Sequence, residues 1–573
     1  MSIRIHIFSF FLLILLVGCK NNPDPVQTIC NPVNLSYRFC LDKPSRREAA
    51  DPSMILFRDQ YFLFASKSGG YWYSDDLVDW AFIESDEIPV EEYAPTVVAL
   101  EDTLYFLASS TEKSTIYKSA DPLSGKWSIA LDSLEIPVWD PALFLDDDNR
   151  LYLYWGCSNQ NPIYGVELNF KDHFSFIGKP KELIKANPSQ YGWEVPGDYN
   201  LRKDTAPWIE GAWMNKVEGT YYLQYAGPGT EFKSYSDGVY TAGTPLGPFT
   251  LSPNNPFAYK PEGFAAGAGH GSTFEDKYGN YWHIGTVTIS QKHMFERRLA
   301  LYPTFFDNQG ILYAVTQFGD YPFIVPDKKI NSYNEIFPRW MLLSYNKKVE
   351  VSSSIDSLPP QNMVDENIRT YWAAQSGGDN EFACVDLGKM VDVYSVQVNF
   401  AEHNTEIYGR EKNLHHRYFI ECSKDKKNWD LLIDKSQNQA DQTHDYIQLP
   451  EKQTCQYLRI KNIEVAGGNF ALSGFRVFGN GTGDTPVCPE AFKVSRDEED
   501  RRNITLTWEE SPAATGYNIR YGADPSKLYH NYMVYPDTSV AIHSLNAGQA
   551  CYFAIESFNE NGISTESPIV LAE

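Results

Sequence analysis

Four residues at the heads of a repeated pattern carry side chains that can move protons. Asp51, Asp140 and Glu210 are carboxylates, and His270 is an imidazole. Asp51 opens DPSMILF and then YFLF; Asp140 opens DPALF and then LYLYW; Glu210 opens EGAWM and then YYLQY; His270 opens HGSTF and then YWHI. A further unit from Tyr93 reads YAPTVV and then LYFL. Each unit is an apolar strand, a turn and an aromatic strand, the pattern of a β-hairpin. One acid before proline or glycine is an ordinary turn residue. Three acids at the heads of matching hairpins are different, because a carboxylate entering a buried site needs a partner or a task. The chemistry open to such groups is proton transfer, with a carboxylate acting as base or as acid. The acids of the Asp146–Asp148 turn lack that placement and read as solvated.

The hairpins must be positioned by something. Further strand-like pieces follow them, such as Tyr71-Trp72-Tyr73 and the stretch from Thr115 to Lys118. Five similar sheets of about four strands suit a radial array, a five-bladed β-propeller. Its innermost strands converge on an axis, so the hairpin heads share one cavity. No helical period of useful length competes. The expected fold class is all-β: a five-bladed β-propeller followed by two β-sandwich domains. Composition agrees. The chain has 573 residues, enough for several domains, and 14% aromatics suit β cores or sugar-stacking surfaces. Lys and Arg number 49 against 74 Asp and Glu, a net charge of −25, which argues against a nucleic-acid partner.

From about Arg46 to Phe323 the chain resembles glycoside hydrolase family 43. The resemblance rests on Ala50-Asp51-Pro52-Ser53, Trp139-Asp140-Pro141-Ala142, Ile209-Glu210-Gly211-Ala212, Tyr235-Ser236-Asp237-Gly238 and Gly269-His270-Gly271, in that order. It implies hydrolysis with inversion. Asp51 would be the base, Glu210 the general acid with a raised pKa, and Asp140 the carboxylate that orients and tunes it. It implies a sugar-binding arginine, either Arg297 or Arg298. It implies no required cofactor, with His270 holding water or a structural Ca²⁺ on the propeller axis. Tyr93, Trp139, Trp208 and Trp213 flank the key positions, and each either lines a sugar subsite or packs between blades.

The expected domains are 1–19, a lipoprotein signal peptide; 20–45, a tether; 46–325, the propeller; 342–480 and 487–573, the sandwiches. Residues 1–19 have a basic start, an apolar run and a Leu16-Val17-Gly18-Cys19 end. They resemble a bacterial lipobox with Cys19 as the lipidated residue, on a Bacteroides-type outer-membrane lipoprotein facing the periplasm or the cell surface. Cys30 and Cys40 are close enough in sequence to pair, and Cys157 reads as a core residue. Met363-Val364-Asp365-Glu366 with FACVDLG and SGFRVFG resembles a discoidin, or coagulation-factor C-type, domain. Ile504-Thr505-Leu506-Thr507-Trp508 and the stretch from Gly516 to Tyr521 resemble a fibronectin type III domain. The function expected from these resemblances is removal of terminal sugars from plant polysaccharide or glycan side chains. The sugar is α-L-arabinofuranosyl, with β-xylosidase, exo-β-galactosidase or a silent glycan-binding protein as alternatives. The partners are the saccharide and, through the lipid alone, a membrane.

Overall fold

A computed structural model describes residues 26–573; the signal-peptide and Cys19 assignments lie outside them. Five antiparallel sheets of four consecutive strands follow one another. Their innermost strands are Ala50–Phe57, Thr96–Leu100, Ala142–Leu145, Glu210–Val217 and Gly269–Glu275. Each of these touches the next, and the fifth touches the first, so the ring is closed.

Side chains stitch the inner ring. Ser53, Thr96 and Ser272 each accept, through a hydroxyl, a backbone N–H from the neighbouring blade: Val97 at 3.2 Å, Leu143 at 3.0 Å and Met54 at 3.0 Å. Blade four has Trp213 in the matching place, and its indole N–H reaches the Thr273 carbonyl at 3.0 Å. Between blades lie separate aromatic-rich cores. Phe64, Tyr71, Phe106 and Trp127 fill the gap between blades one and two; Trp72, Phe274 and Trp282 fill that between five and one. Each such ring contributes about 1.5–3 kcal/mol by leaving water, which is where most of the aromatic content goes.

The tether expectation fails for residues 26–45. Ile29, Val33, Leu35 and Tyr37 are buried in the core between blades five and one, and Thr28–Ile29 pairs with Phe323–Ile324. Their apolar spacing is irregular, so it did not resemble a strand. Cys30 and Cys40 are free thiols. The stretch after the propeller is packed too, with Ile330, Ile336 and Phe337 buried.

The second domain is a β-sandwich built on two long strands, Phe382–Phe400 and His444–Glu464. Gly388 (φ 82°) and the register break between Asp386 and Val391 bend the first strand, so its halves serve both layers. The third domain packs a three-stranded sheet on a larger one. Both sandwiches are bonded to the propeller. Arg47 is buried against Glu402 and Asp441, the latter at 2.7 Å, and Tyr313 stacks on Tyr529 with centroids 3.8 Å apart.

Candidate active site

The five blades begin with one shared distortion. Asp51, Ala94, Asp140, Gly211 and His270 all have left-handed backbone, with φ of 53°, 49°, 48°, 61° and 46°. In blades one, four and five the pairing register skips here, from Ala50 to Ser53, Glu210 to Trp213 and Gly269 to Ser272. This is a β-bulge, a device that re-aims side chains at the end of a strand. It corrects the sequence alignment of Glu210. The residue of blade four that matches Asp51 and Asp140 is Gly211, and Glu210 stands one residue earlier, in the ring of Ala50, Tyr93, Trp139 and Gly269. Gly211 has its own reason: a Cβ there would lie 2.6 Å from the His270 ring, so the glycine makes room for the imidazole.

Two tiers result, and together they line a cavity of about 360 Å³. Asp51, Asp140 and His270 form the floor. Tyr93, Trp139 and Glu210 stand above it, with Trp208, Cys157, Arg297 and the segments Gly229–Glu231 and Met294–Phe295. Of the sequence-derived candidates, two stay outside. Trp213 packs against the core shared by blades three and four, and its indole N–H donates to the Thr273 carbonyl of blade five. Arg298 is buried against the second domain, donating to His444 Nε2 at 3.0 Å and to the Arg47 carbonyl at 2.7 Å. Neighbouring strand residues face opposite ways, so only Arg297 reaches the cavity.

The two aspartates sit in opposite electrostatic settings. Burial pushes Asp51 up, but Arg297 (Nη1 to Oδ1, 3.1 Å), His270 and the Ser66 hydroxyl (2.5 Å) outweigh it and hold the carboxyl below its ordinary value. Asp140 has no such cation. Burial lifts it to about 7; His270 opposes this, Glu210 and Asp51 add to it, and the Ser109 hydroxyl at 3.1 Å lowers it slightly. Asp140, Cys157 and Glu210 have polar atoms within 4.8 Å of one another, so a proton there belongs to the group. Glu210 accepts from Tyr235 Oη at 2.5 Å and from Cys157 Sγ at 3.2 Å. Burial, then the neighbouring carboxylates, keep both of those donors protonated. Cys157 is thus a lining residue in contact with Glu210, not a plain core cysteine.

His270 Nδ1 lies 3.4 Å from Asp51 and 3.8 Å from Asp140. Burial disfavours its charge, but Asp51, Asp140, Glu210 and Asp237 outweigh that and raise its pKa. Asp237 holds the bulge itself, accepting the backbone N–H of His270 at 2.7 Å and of Gly271 at 2.9 Å. The ring thus faces both carboxylates through one nitrogen at ion-pair distance, and an imidazole nitrogen is not the oxygen ligand that Ca²⁺ takes. The His270 ring itself is therefore a poor Ca²⁺ ligand, and its charge coupling to Asp51 and Asp140 accounts for its place between them.

One wall is supported from outside the propeller. Arg369, in the second domain, bonds Asp198 Oδ2 at 2.9 Å, the Glu231 carbonyl at 3.1 Å and Thr288 Oγ1 at 3.3 Å. The Ile368 carbonyl accepts from the Gln291 amide. Glu231 and Phe295 line the cavity, so two of its lining segments lean on one sandwich loop. Nothing in the repeat pattern points to this.

Residues 44–312 match the family described as Glycosyl hydrolases family 43, and residues 348–474 match the F5/8 type C domain. The propeller is a family 43 glycoside hydrolase domain, the first sandwich is an F5/8 type C domain, and the protein is a glycoside hydrolase. Its relatives include a beta-D-galactofuranosidase of Aspergillus niger, 26% identical over 41% of this chain and 72% of that protein. A beta-xylosidase of Xylanibacter ruminicola is 27% identical over 23% and 42%, and a xylosidase/arabinosidase of Butyrivibrio fibrisolvens is 29% identical over 34% and 37%. The chain thus spans less than half the length of these last two. A solved structure described as a glycoside hydrolase is 19% identical, covering 78% of this chain and 100% of that one, with a TM-score of 0.45.

Proposed function

We propose that the protein is an exo-acting, inverting glycosidase that removes one terminal sugar from a polysaccharide or glycan side chain. The observation that carries this is one cavity lined by three carboxyls, Asp51, Asp140 and Glu210, with Asp51 held below its ordinary value and Asp140 raised to about 7. Two carboxyls pushed apart in one cavity are what acid–base hydrolysis at neutral pH needs. Asp51 takes a proton from water as the water oxygen attacks the anomeric carbon. The bond to the leaving oxygen breaks as Glu210 delivers its proton there. Asp140 keeps a proton available beside Glu210 near neutrality, and Tyr235 and Cys157 orient the Glu210 carboxyl. Arg297 fixes Asp51 and offers a cation to sugar hydroxyls. No step runs through Ca²⁺.

The sugar we infer is α-L-arabinofuranosyl. The names of the relatives supply β-xylosyl and β-D-galactofuranosyl as the alternatives. The closed floor and single-sugar scale of the cavity support action at chain ends. We further infer export as a Bacteroides-type outer-membrane lipoprotein through Cys19, for which Cys19→Ala should release the protein from membranes. Residues 487–573 we read as a fibronectin type III domain, because a three-stranded sheet faces the order His530–Val534, Gly516–Gly522, Cys551–Asn559 and Gly562–Ile563. The central experiment is proton NMR of the first product from arabinofuranosyl, xylosyl and galactofuranosyl oligosaccharides. The inverted anomer is expected from one of them; a retained anomer, or no hydrolysis of any, would overturn the reading.

A further inference from the structure

Arg297 is buried, and it meets Asp51 through one end of its fork only. Nη1 donates to Asp51 Oδ1 and to Thr230 Oγ1, both at 3.1 Å. Nη2 donates to Glu48 Oε1 at 2.8 Å, and Glu48 does not line the cavity. Nε has no partner among the described residues, so the two Nη groups carry the whole hold.

Glu48 is fully buried and precedes the first blade, outside the repeated pattern. A buried carboxylate needs partners, and Glu48 has two cations. Its other oxygen, Oε2, accepts from Arg46 Nε at 3.1 Å and Nη2 at 2.9 Å. Arg46 in turn reaches Asp42 at 3.4 Å. Side chains alternate along an extended segment, and Arg47 between them faces the second domain, pairing with Glu402 and Asp441. The result is a row of alternating charge, Asp42, Arg46, Glu48, Arg297 and Asp51, that ends at the cavity.

An arginine side chain has many rotamers, and fixing it costs entropy. A guanidinium whose Nη groups are taken by carboxylates on two sides has one orientation left. We propose that Glu48 is a positioning residue for the base: it clamps Nη2 of Arg297 so that Nη1 stays on Asp51. The proposal rests on the glycosidase reading above. The effect of Glu48 reaches the reaction through Arg297, the cation that keeps Asp51 ionised.

The test separates reach from charge. Glu48→Asp keeps the anion and loses one methylene of reach. Glu48→Gln keeps the reach and an acceptor oxygen and loses the anion. The surrounding groups are the same in both: Arg297, His270, Asp140 and Tyr235 around Asp51, and Arg46, Cys40, Lys67, Tyr93 and His293 around Glu48. Hydrolysis of arabinofuranosyl, xylosyl and galactofuranosyl oligosaccharides is followed against pH, with circular dichroism and Tm read alongside. In Glu48→Asp the acid limb of kcat/KM is expected to move up by roughly one pH unit, because an adjacent arginine lowers an aspartate by about that much or more. Its kcat at neutral pH should fall roughly tenfold. In Glu48→Gln kcat at neutral pH should stay within about threefold of the parent. A folded Glu48→Asp with the parent's acid limb overturns the clamp, and so does a folded Glu48→Gln that loses as much kcat as Glu48→Asp. A parent that hydrolyses none of the oligosaccharides overturns the glycosidase reading and the clamp with it.

Discussion

The floor of the cavity and its wall are built by different means. The floor is made by one motif repeated around the axis: a bulge whose left-handed residue is Asp51, Ala94, Asp140, Gly211 or His270. Four of the five copies are held within the propeller, by Ser66 at Asp51 and Ala94, Ser109 at Asp140 and Asp237 at His270. The wall over Gly229–Glu231 and Met294–Phe295 is made of loops that lean on Arg369 and Ile368 of the F5/8 type C domain. The difference separates two jobs. Groups that handle protons are set by the repeated part of the chain. Groups that shape the sugar site are set by contacts that another domain supplies.

If that division is right, damage to floor and wall should read differently in kinetics. The largest effect is expected from Asp51→Asn, which removes the base; kcat should fall roughly 10²–10⁴-fold with little change in KM, by steady-state assay. Asp140→Asn comes next, and its signature is in the pH profile. Asp51 is held below its ordinary value and Asp140 is raised to about 7, so the parent kcat/KM should fall at pH below the ordinary carboxylate range and as pH rises through about 7. With Asp140→Asn the alkaline limb should move to lower pH, because one fewer anion helps to hold the proton. An unmoved limb would remove Asp140 from that role. Asp140 also couples to stability. Its folded pKa is raised, so the cost of ionising it appears as pH rises from about 4 to about 7, and Asp140→Asn should flatten Tm over that window. The smallest effect is expected at the wall. Arg369→Ala should raise KM roughly tenfold while kcat changes little, with partial recovery in Arg369→Lys. Equal loss in kcat and KM would place the brace in the proton machinery and erase the distinction.

The same division explains what could be read in the chain beforehand. The floor was legible because repetition exposes it: hairpin heads recur, and acids at those heads stand out. The one-residue offset of Glu210 was not, since a bulge shows only in strand pairing and EGA looks like DPA. Tyr235, Asp237 and Cys157 sit on outer strands or their ends, where no repeat position marks them. Arg297 and Arg298 are adjacent and identical in type; only the strand's alternation separates the one at Asp51 from the one at His444. Trp213 fills a stitching position that is Ser in blades one and five and Thr in blade two, so its ring packs between blades rather than lining the cavity. The wall was invisible because Arg369 and Glu231 lie 138 residues apart in different domains.

The measurement that bears most directly on the central claim is the leaving-group dependence of Glu210→Gln. An acid matters most when the leaving group needs a proton. The oligosaccharide kcat should fall roughly 10²–10⁴-fold while the glycosyl fluoride, whose leaving ion needs little help, loses far less. Equal losses on both substrates would contradict the assignment of Glu210 as the acid and, with it, the reading of this cavity.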